Sequence, residues 1–258
     1  MPPVPRPRLP LATLAACAAL LAALSATAAP AGSIYEQALA GAGRSDKDHA
    51  RDQRERPAEV LAFAGFRRGM RIADIFGGGG YYSEILARVV GPKGKVLLVN
   101  NPPYAAYAAE DLKERFKDGR LAEVERLVVP SEDLKLGEAR LDGALIVMAY
   151  HDLYFSDPKG FPPIDAGQFL EQLRRALKPG ARLLIVDHAA APGSGSAPAQ
   201  TLHRIDEAFA VRDLESHGFK LVSKYDGLRN PADDHSKLVF DPAIRGHTDR
   251  FVHLYRRL

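Results

Sequence analysis

The chain has 258 residues, with 35 Lys and Arg against 32 Asp and Glu, and 46% of its residues are hydrophobic. This apolar fraction is ordinary for a globular protein and excludes wholesale disorder. Because the charges nearly cancel, the composition argues against nucleic acid as an electrostatic partner. The single cysteine, Cys17, excludes a disulfide within the chain and metal centres built from several cysteines.

Residues 1–28 have the features of a secretory signal peptide. A basic start precedes an uncharged run at 11–24, and Ala-Thr-Ala at 26–28 offers a small-residue cleavage site. The uncharged run is shorter than the roughly 20 apolar residues of a membrane span, so we expect no stable membrane insertion after cleavage. An uncleaved anchor and a lipoprotein signal at Cys17 are the alternatives. The sequence therefore predicts an exported, periplasmic protein.

Strands and helices alternate after a polar extension at 29–56, whose charge run SDKDHARDQRER we expect to be a solvated face. The rest of the chain, 57–258, contains no internal repeat or linker and is predicted to be one domain. Strands are predicted at 71–76, 95–99, 127–129, 141–149, 181–186, 219–225 and 250–255. Helices are predicted at 57–63, 81–90, 105–127 with a break near Gly119, 168–177 and 204–217. Such alternation predicts a parallel sheet with helices on both faces, in which ligands bind at the carboxyl ends of the strands.

A glycine-rich loop, Asp74-Ile-Phe-Gly-Gly-Gly-Gly80, joins the first predicted strand to a helix. Glycines allow a ligand to approach the backbone, and the helix offers free N–H groups at its start. The loop lacks the spacing of a dinucleotide fingerprint and the Gly-Lys-Ser/Thr ending of a P-loop. Four consecutive glycines exceed the needs of a tight turn, so the pattern favours a ligand-binding loop.

From Pro57 to its end the chain resembles the class I S-adenosylmethionine-dependent methyltransferases. RIADIFGGGG is similar to the family's D-x-G-x-G-x-G loop, and LKPGARLLIVDH to its turn and fifth strand. More narrowly, RDQRERPAEVLAF, HDLY and RGHTDRF resemble an uncharacterised group of exported, predicted methyltransferases. The resemblance implies an α/β, Rossmann-like, doubly wound and mostly parallel seven-stranded sheet with an antiparallel C-terminal strand.

The resemblance also implies a cofactor, S-adenosylmethionine, and residues that bind it. Asp74 would order the loop, and Asn100 would contact the ribose where many family members place an acid. The loop glycines implied to bind the cofactor are Gly77, Gly78, Gly79 and Gly80. Two departures stand out: Phe76 replaces the first loop glycine, and Asn100 is a neutral and therefore weaker hydrogen-bonding partner than an acid.

Histidine and aspartate follow two predicted strands, His151-Asp152 the fourth and Asp187-His188 the fifth. Neighbouring strands lie about 5 Å apart, so these side chains are expected at one edge of the sheet. One hypothesis makes His151 and Asp152 catalytic, with His151 accepting a proton from the methyl acceptor. A second places a divalent metal on Asp152, Asp187 and His188, similar to the magnesium site of catechol-type O-methyltransferases, or a zinc, iron or manganese ion. In the third, the pairs only hold loops in place.

The predicted function is S-adenosylmethionine-dependent methyl transfer to a small-molecule or other nucleophilic acceptor. The alternative is an exported, non-catalytic ligand- or metal-binding protein on the same fold. A hydrolase finds no support, because no G-x-S-x-G nucleophile elbow is present. The sequence gives no indication of oligomeric state.

Overall fold

The structure is a computed structural model that describes residues 1–2 and 32–258 of the chain. A seven-stranded sheet lies at the centre of this described part. Its strands are β1 Arg71–Ile75, β2 Lys95–Asn100, β3 Val124–Val128, β4 Leu141–Val147, β5 Leu177–His188, β6 Phe219–Tyr225 and β7 Arg250–Arg257. The helices are α1 Ile34–Leu39, α2 Asp46–Glu55, α3 Pro57–Ala64, α4 Tyr81–Val90, α5 Pro102–Tyr107, α6 Ala109–Arg115, α7 Ala166–Ala176, α8 Pro198–Leu202 and α9 Glu207–Ser216. Apart from its first two residues, the predicted signal peptide lies outside the described residues.

The strand order is β3-β2-β1-β4-β5-β7-β6. The first five of these strands are mutually parallel, and β7 runs antiparallel to both β5 and β6. This confirms the predicted Rossmann-like, doubly wound sheet. The chain moves outward from β1 to β3 and returns to place β4 on the other side of β1. Ligands of such sheets bind outside the carboxyl ends of the strands at this switch point.

The central strands are buried on both faces, which explains their nearly continuous apolar sequences. One face packs against α3 and α4, and the other packs against α7 and α9. Fully buried core residues include Ile72, Ile75, Leu145 and Ile146 from the strands and Leu61, Ile85, Leu86, Phe169 and Leu173 from the helices. Among the described residues, no helix combines the length and the hydropathy that a membrane crossing requires.

The helix predicted over 105–127 is wrong in its second half. Helix α6 ends at Arg115, and edge strand β3 begins at Val124. Glu125 and Arg126 are exposed on that strand. An edge strand with exposed polar residues lacks the apolar run of a central strand, so its sequence does not distinguish it from a polar helix face.

The charge run of α2 is not simply a solvated face, because two of its acids are buried. Asp48 and Glu55 are each 4% exposed. Asp48 accepts hydrogen bonds from Arg115 at 2.8 Å, and Glu55 accepts one from Arg250 at 2.9 Å. Buried charges must be paired, so these contacts attach α2 to α6 and β7. Helices α1 and α2 accordingly lie in the same compact unit as the sheet, Gly32–Leu258.

Another buried acid, Glu84 of α4, joins three helices around the start of α4. It is 1% exposed and contacts three guanidinium groups, those of Arg88 and Arg120 at 2.8 Å and that of Arg115. Arg115 also binds Asp48 of α2. The position of α2 therefore depends on the buried carboxylate of Glu84.

Replacing Glu84 by Gln should lower the free energy of unfolding by about 3 kcal/mol or more, because Arg88 and Arg120 lose their buried counter-charge and Arg115 loses one of its two. Urea unfolding followed by circular dichroism measures the change. Glu59→Gln is the matched control: its pair with Arg56 is about half exposed, and its loss should cost no more than about 1 kcal/mol. Equal, small losses in both variants would contradict the assigned role of Glu84.

Candidate functional site

The glycine loop after β1 has a left-handed backbone at three positions, Phe76, Gly78 and Gly80, with φ of 53°, 55° and 80°. This region favours glycine, so a phenylalanine in it is unusual. The Phe76 ring is buried and stacks on Tyr104 of α5 at 4.7 Å between ring centroids. Phe76 thus contributes aromatic packing under the loop where the family pattern has a glycine.

The four glycines of the loop differ in what surrounds them. A Cβ on Gly77 would lie 2.6 Å from the Asp74 carboxyl group, and a Cβ on Gly79 would lie 2.6 Å from Asp111. At Gly78 nothing lies within 4 Å of a Cβ position. Packing therefore requires Gly77 and Gly79, whereas the Cβ side of Gly78 faces free space.

Asp74 lies beneath this loop and is 2% exposed. Its carboxylate accepts a hydrogen bond from Ser83 Oγ at 2.7 Å. Burial raises the pKa of Asp74 to about 6, although the Ser83 hydrogen bond acts in the opposite direction. Asp74 thus joins the end of β1 to the first turn of α4.

Asn100, which the family resemblance places on the ribose, is turned toward the loop. Its Oδ1 accepts a hydrogen bond from Gly78 N at 3.0 Å, and its Nδ2 donates one to Gly78 O at 2.9 Å. The residue is 2% exposed, and both atoms of its amide are engaged. In this structure Asn100 therefore holds the open glycine in place, a role that needs a donor and an acceptor on one side chain.

Asn100→Asp should lower the free energy of unfolding by about 1–3 kcal/mol, because a carboxylate cannot donate to Gly78 O. Urea unfolding at neutral pH measures the loss. The neighbouring Asn101→Asp is the control: Asn101 caps α5 by accepting from Tyr104 N, which Asp does equally well. Its Nδ2 also donates to Ser131 Oγ, but that hydroxyl can donate to a carboxylate instead. A stability gain in Asn100→Asp would mean that the amide does not hold the loop.

A bidentate contact between His151 and Asp187 joins the ends of β4 and β5. Strand β4 ends at Val147, and Met148 takes a left-handed φ of 53° before a short 3₁₀ turn, His151–Tyr154. His151 N donates to one Asp187 oxygen and Nδ1 contacts the other, each at 2.7 Å. A carboxylate only accepts, so Nδ1 carries a hydrogen and Nε2 faces the remaining groups of the site.

Three side chains meet at this nitrogen, and we call His151, Asp152 and His203 the strand-end cluster. His151 Nε2 lies 3.3 Å from His203 Nδ1 and 3.3 Å from Asp152 Oδ1. His203 Nδ1 lies 3.5 Å from the same oxygen. The other Asp152 oxygen, Oδ2, accepts a hydrogen bond from the Tyr104 hydroxyl.

Electrostatics in the cluster favour positive charge on His151. Burial lowers the pKa of His151, but Asp187 and Asp152 outweigh this effect and raise it to about 9. Burial raises the pKa of Asp152, yet His151 and His203 hold it below its usual value. Near neutral pH, His151 is therefore a hydrogen-bond donor rather than the free proton acceptor that the sequence suggested.

His203 is the member of the cluster that the predicted site omitted. The helix predicted at 204–217 begins one residue after it, whereas in the structure His203 ends α8 with a left-handed φ of 51°. The chain after it pairs with β5: Ile205 N donates to His188 O, and Ala190 N to Ile205 O, each at 3.0 Å. No local sequence signal indicates this pairing. Tyr104 was likewise missed, because it precedes the helix predicted at 105–127, whereas in the structure it lies within α5.

The metal ligands predicted from sequence do not converge. Asp187 faces His151, and His188 Nδ1 lies 2.7 Å from Thr248 Oγ1. Burial lowers the pKa of His188 well below its usual value, so it is neutral there. Within the described ranges, the side chains that could share a metal ion are His151, Asp152 and His203. Of the expected trio, only Asp152 belongs to that group.

Comparison with known proteins finds related sequences but no matching family model. The chain is 27% identical over 162 residues to the ubiquinone/menaquinone biosynthesis C-methyltransferase UbiE of Serratia proteamaculans, covering 60% of this chain and 59% of that one. It is 28% identical over 188 residues to the protein of the same name from Idiomarina loihiensis, covering 72% and 64%. The chain thus spans less than two thirds of the length of these curated relatives.

Solved structures share the fold. A SAM-dependent methyltransferase from Aquifex aeolicus superposes with a TM-score of 0.55 at 23% identity, over 78% of this chain and 88% of that one. Burkholderia thailandensis 1,6-didemethyltoxoflavin-N1-methyltransferase gives 0.50 at 23% identity, over 78% and 75%. Sequence relatives and structural neighbours together indicate the fold of the class I S-adenosylmethionine-dependent methyltransferases.

Proposed function

We propose that the protein is an S-adenosylmethionine-dependent methyltransferase that acts on a small nucleophilic acceptor. One observation carries the proposal: an open glycine loop and a polar cluster follow β1 and β4, which are adjacent parallel strands at the switch point of the sheet. The cofactor would supply the activated methyl group. The two sequence relatives quoted above are both named as C-methyltransferases, which supports methyl transfer as the reaction class.

The residues around the loop fit the amino-acid end of this cofactor. A cleft of about 110 Å³ opens beside Gly79, and Lys47 and Arg51 of α2 line it. The Tyr82 hydroxyl, in a residue only 3% exposed, has no hydrogen-bond partner among the residues that the structure describes. Cations and the free N–H groups at the start of α4 suit a carboxylate, and the free space beside Gly78 leaves room for a ligand.

On the acceptor side, the chain would mainly position the nucleophile. His151 is hydrogen-bonded to Asp187, and Asp152 is hydrogen-bonded to Tyr104. The orientation of both side chains therefore does not depend on a ligand. Fixed groups reduce the entropy that a bimolecular transfer must lose, which is the main contribution expected of a methyltransferase. His203, with a side chain 20% exposed, lies on the solvent side of this cluster.

S-Adenosylhomocysteine should bind with micromolar affinity in calorimetric titration, and Gly78→Val should weaken binding at least tenfold by filling the free space beside the loop. Gly69→Val is the matched control, because Gly69 also has a left-handed φ of 80° and free space around it but lies before β1. Both variants bear a similar backbone strain of about 1–2 kcal/mol, so only a ligand effect separates them. Absence of binding to the parent protein would leave the non-catalytic alternative.

We also propose that residues 1–28 direct export and are removed, which makes the mature protein periplasmic. The support is the basic start, the uncharged run and the small residues at 26–28. N-terminal sequencing of the protein from a periplasmic fraction should begin at Ala29, and Ala28→Arg should block this cleavage. A start at Met1, or at a lipid-modified Cys17, would overturn the proposal.

A further inference from the structure

We propose that His151 Nε2, Asp152 Oδ1 and His203 Nδ1 form a binding site for one divalent transition-metal ion of the zinc, cobalt or iron class. The proposal stands on the arrangement of these three atoms and does not depend on methyl transfer. It also differs from the carboxylate-rich set expected from sequence, because two of its three ligands are imidazoles.

The spacing of the three atoms matches a tetrahedral centre. Their mutual separations are 3.3, 3.3 and 3.5 Å. Zinc bonds to nitrogen and oxygen are about 2.0–2.1 Å long, which puts neighbouring ligands of a tetrahedron about 3.3–3.4 Å apart. One ion can therefore reach all three atoms with little movement of the side chains.

Two of the ligands are already oriented by further contacts. Asp187, which is fully buried, engages His151 Nδ1 and leaves Nε2 as the nitrogen that faces the site. Tyr104 engages Asp152 Oδ2 and leaves Oδ1 facing the two imidazoles. A carboxylate behind a histidine and a hydrogen bond behind a carboxylate are the usual supports of metal ligands in proteins.

Charge and access favour a cation at the same place. The carboxylates of Asp152 and Asp187 both lie against His151, so a divalent ion that replaces a proton at Nε2 would have two negative charges beside it. The side chains of His203 and Asp152 are 20% and 16% exposed, against 4% for His151, so an ion can enter from the His203 side.

The donor set selects the kind of metal. Two imidazole nitrogens and one carboxylate oxygen suit zinc, iron, cobalt or manganese, whereas magnesium and calcium prefer all-oxygen sites. Three protein ligands leave at least one position open, as in catalytic rather than structural zinc centres. That position would take water or an oxygen atom of a bound small molecule.

The test is titration of the metal-stripped full chain, without a histidine tag and with Cys17→Ser in every sample to remove the thiol. We expect one Co²⁺ per chain, with the visible absorption of a tetrahedral complex and displacement by Zn²⁺, but no response to Mg²⁺. His203→Ala and Asp152→Asn should each weaken Co²⁺ binding at least a hundredfold. Asp187→Asn should weaken it about tenfold or more, through the orientation of His151.

His247→Ala is the control, because His247 is exposed and outside the cluster, and it should leave Co²⁺ binding unchanged. His203 is partly exposed, so its variant should keep the parent's circular dichroism and urea midpoint even if variants of buried His151 unfold. The metal site would be overturned if the parent protein bound no Co²⁺, or if Co²⁺ binding were unchanged in both His203→Ala and Asp152→Asn. S-Adenosylhomocysteine titration of the same samples reports separately on the methyltransferase proposal, so either can fail alone.

Discussion

The placement of β4 between β1 and β5 is the constraint on which the candidate site depends. Because the three strands are parallel, the segments that follow them emerge at one edge of the sheet. The glycine loop after β1 therefore lies at the same edge as His151 after β4 and Asp187 in β5. Each segment alone is an ordinary strand end, and the strand order of the sheet brings the three segments together into one site.

Buried carboxylates hold this edge of the sheet and the helices beside it together. Asp187 orients His151, and Glu84 joins the arginines beside the loop. An unpaired charge buried in these positions would destabilise the fold. The main effect of each pair is therefore to determine which elements are neighbours, and its contribution to net stability is smaller. The N-terminal helix α2 follows this rule, since Asp48 and Glu55 connect it to the body of the protein.

Much of the fold was predictable because it depends on local patterns. Apolar runs marked the central strands, and β6 at Phe219–Tyr225 was predicted with its observed bounds. The prediction was only partly right where the pattern is weak: the third strand, predicted at 127–129, is edge strand β3 at Val124–Val128, in which Glu125 and Arg126 are exposed. The candidate site was also predictable only in part. The positions of Asp74 and His151 at strand ends followed from sequence. The hydrogen-bond partner of Asn100 did not, because an amide can bind a ribose hydroxyl or a backbone group equally well.

By itself the sequence determined the alternation of strands and helices, the glycine loop and the two His-Asp pairs, since these depend on residue type and short spacing. Only the tertiary structure decided which of those side chains face one another. It turned Asn100 onto Gly78, used Asp187 to orient His151, and brought His203 to the cluster through backbone pairing beyond β5. Such contacts join residues tens of positions apart, and their geometry depends on the order of strands in the sheet rather than on any local pattern.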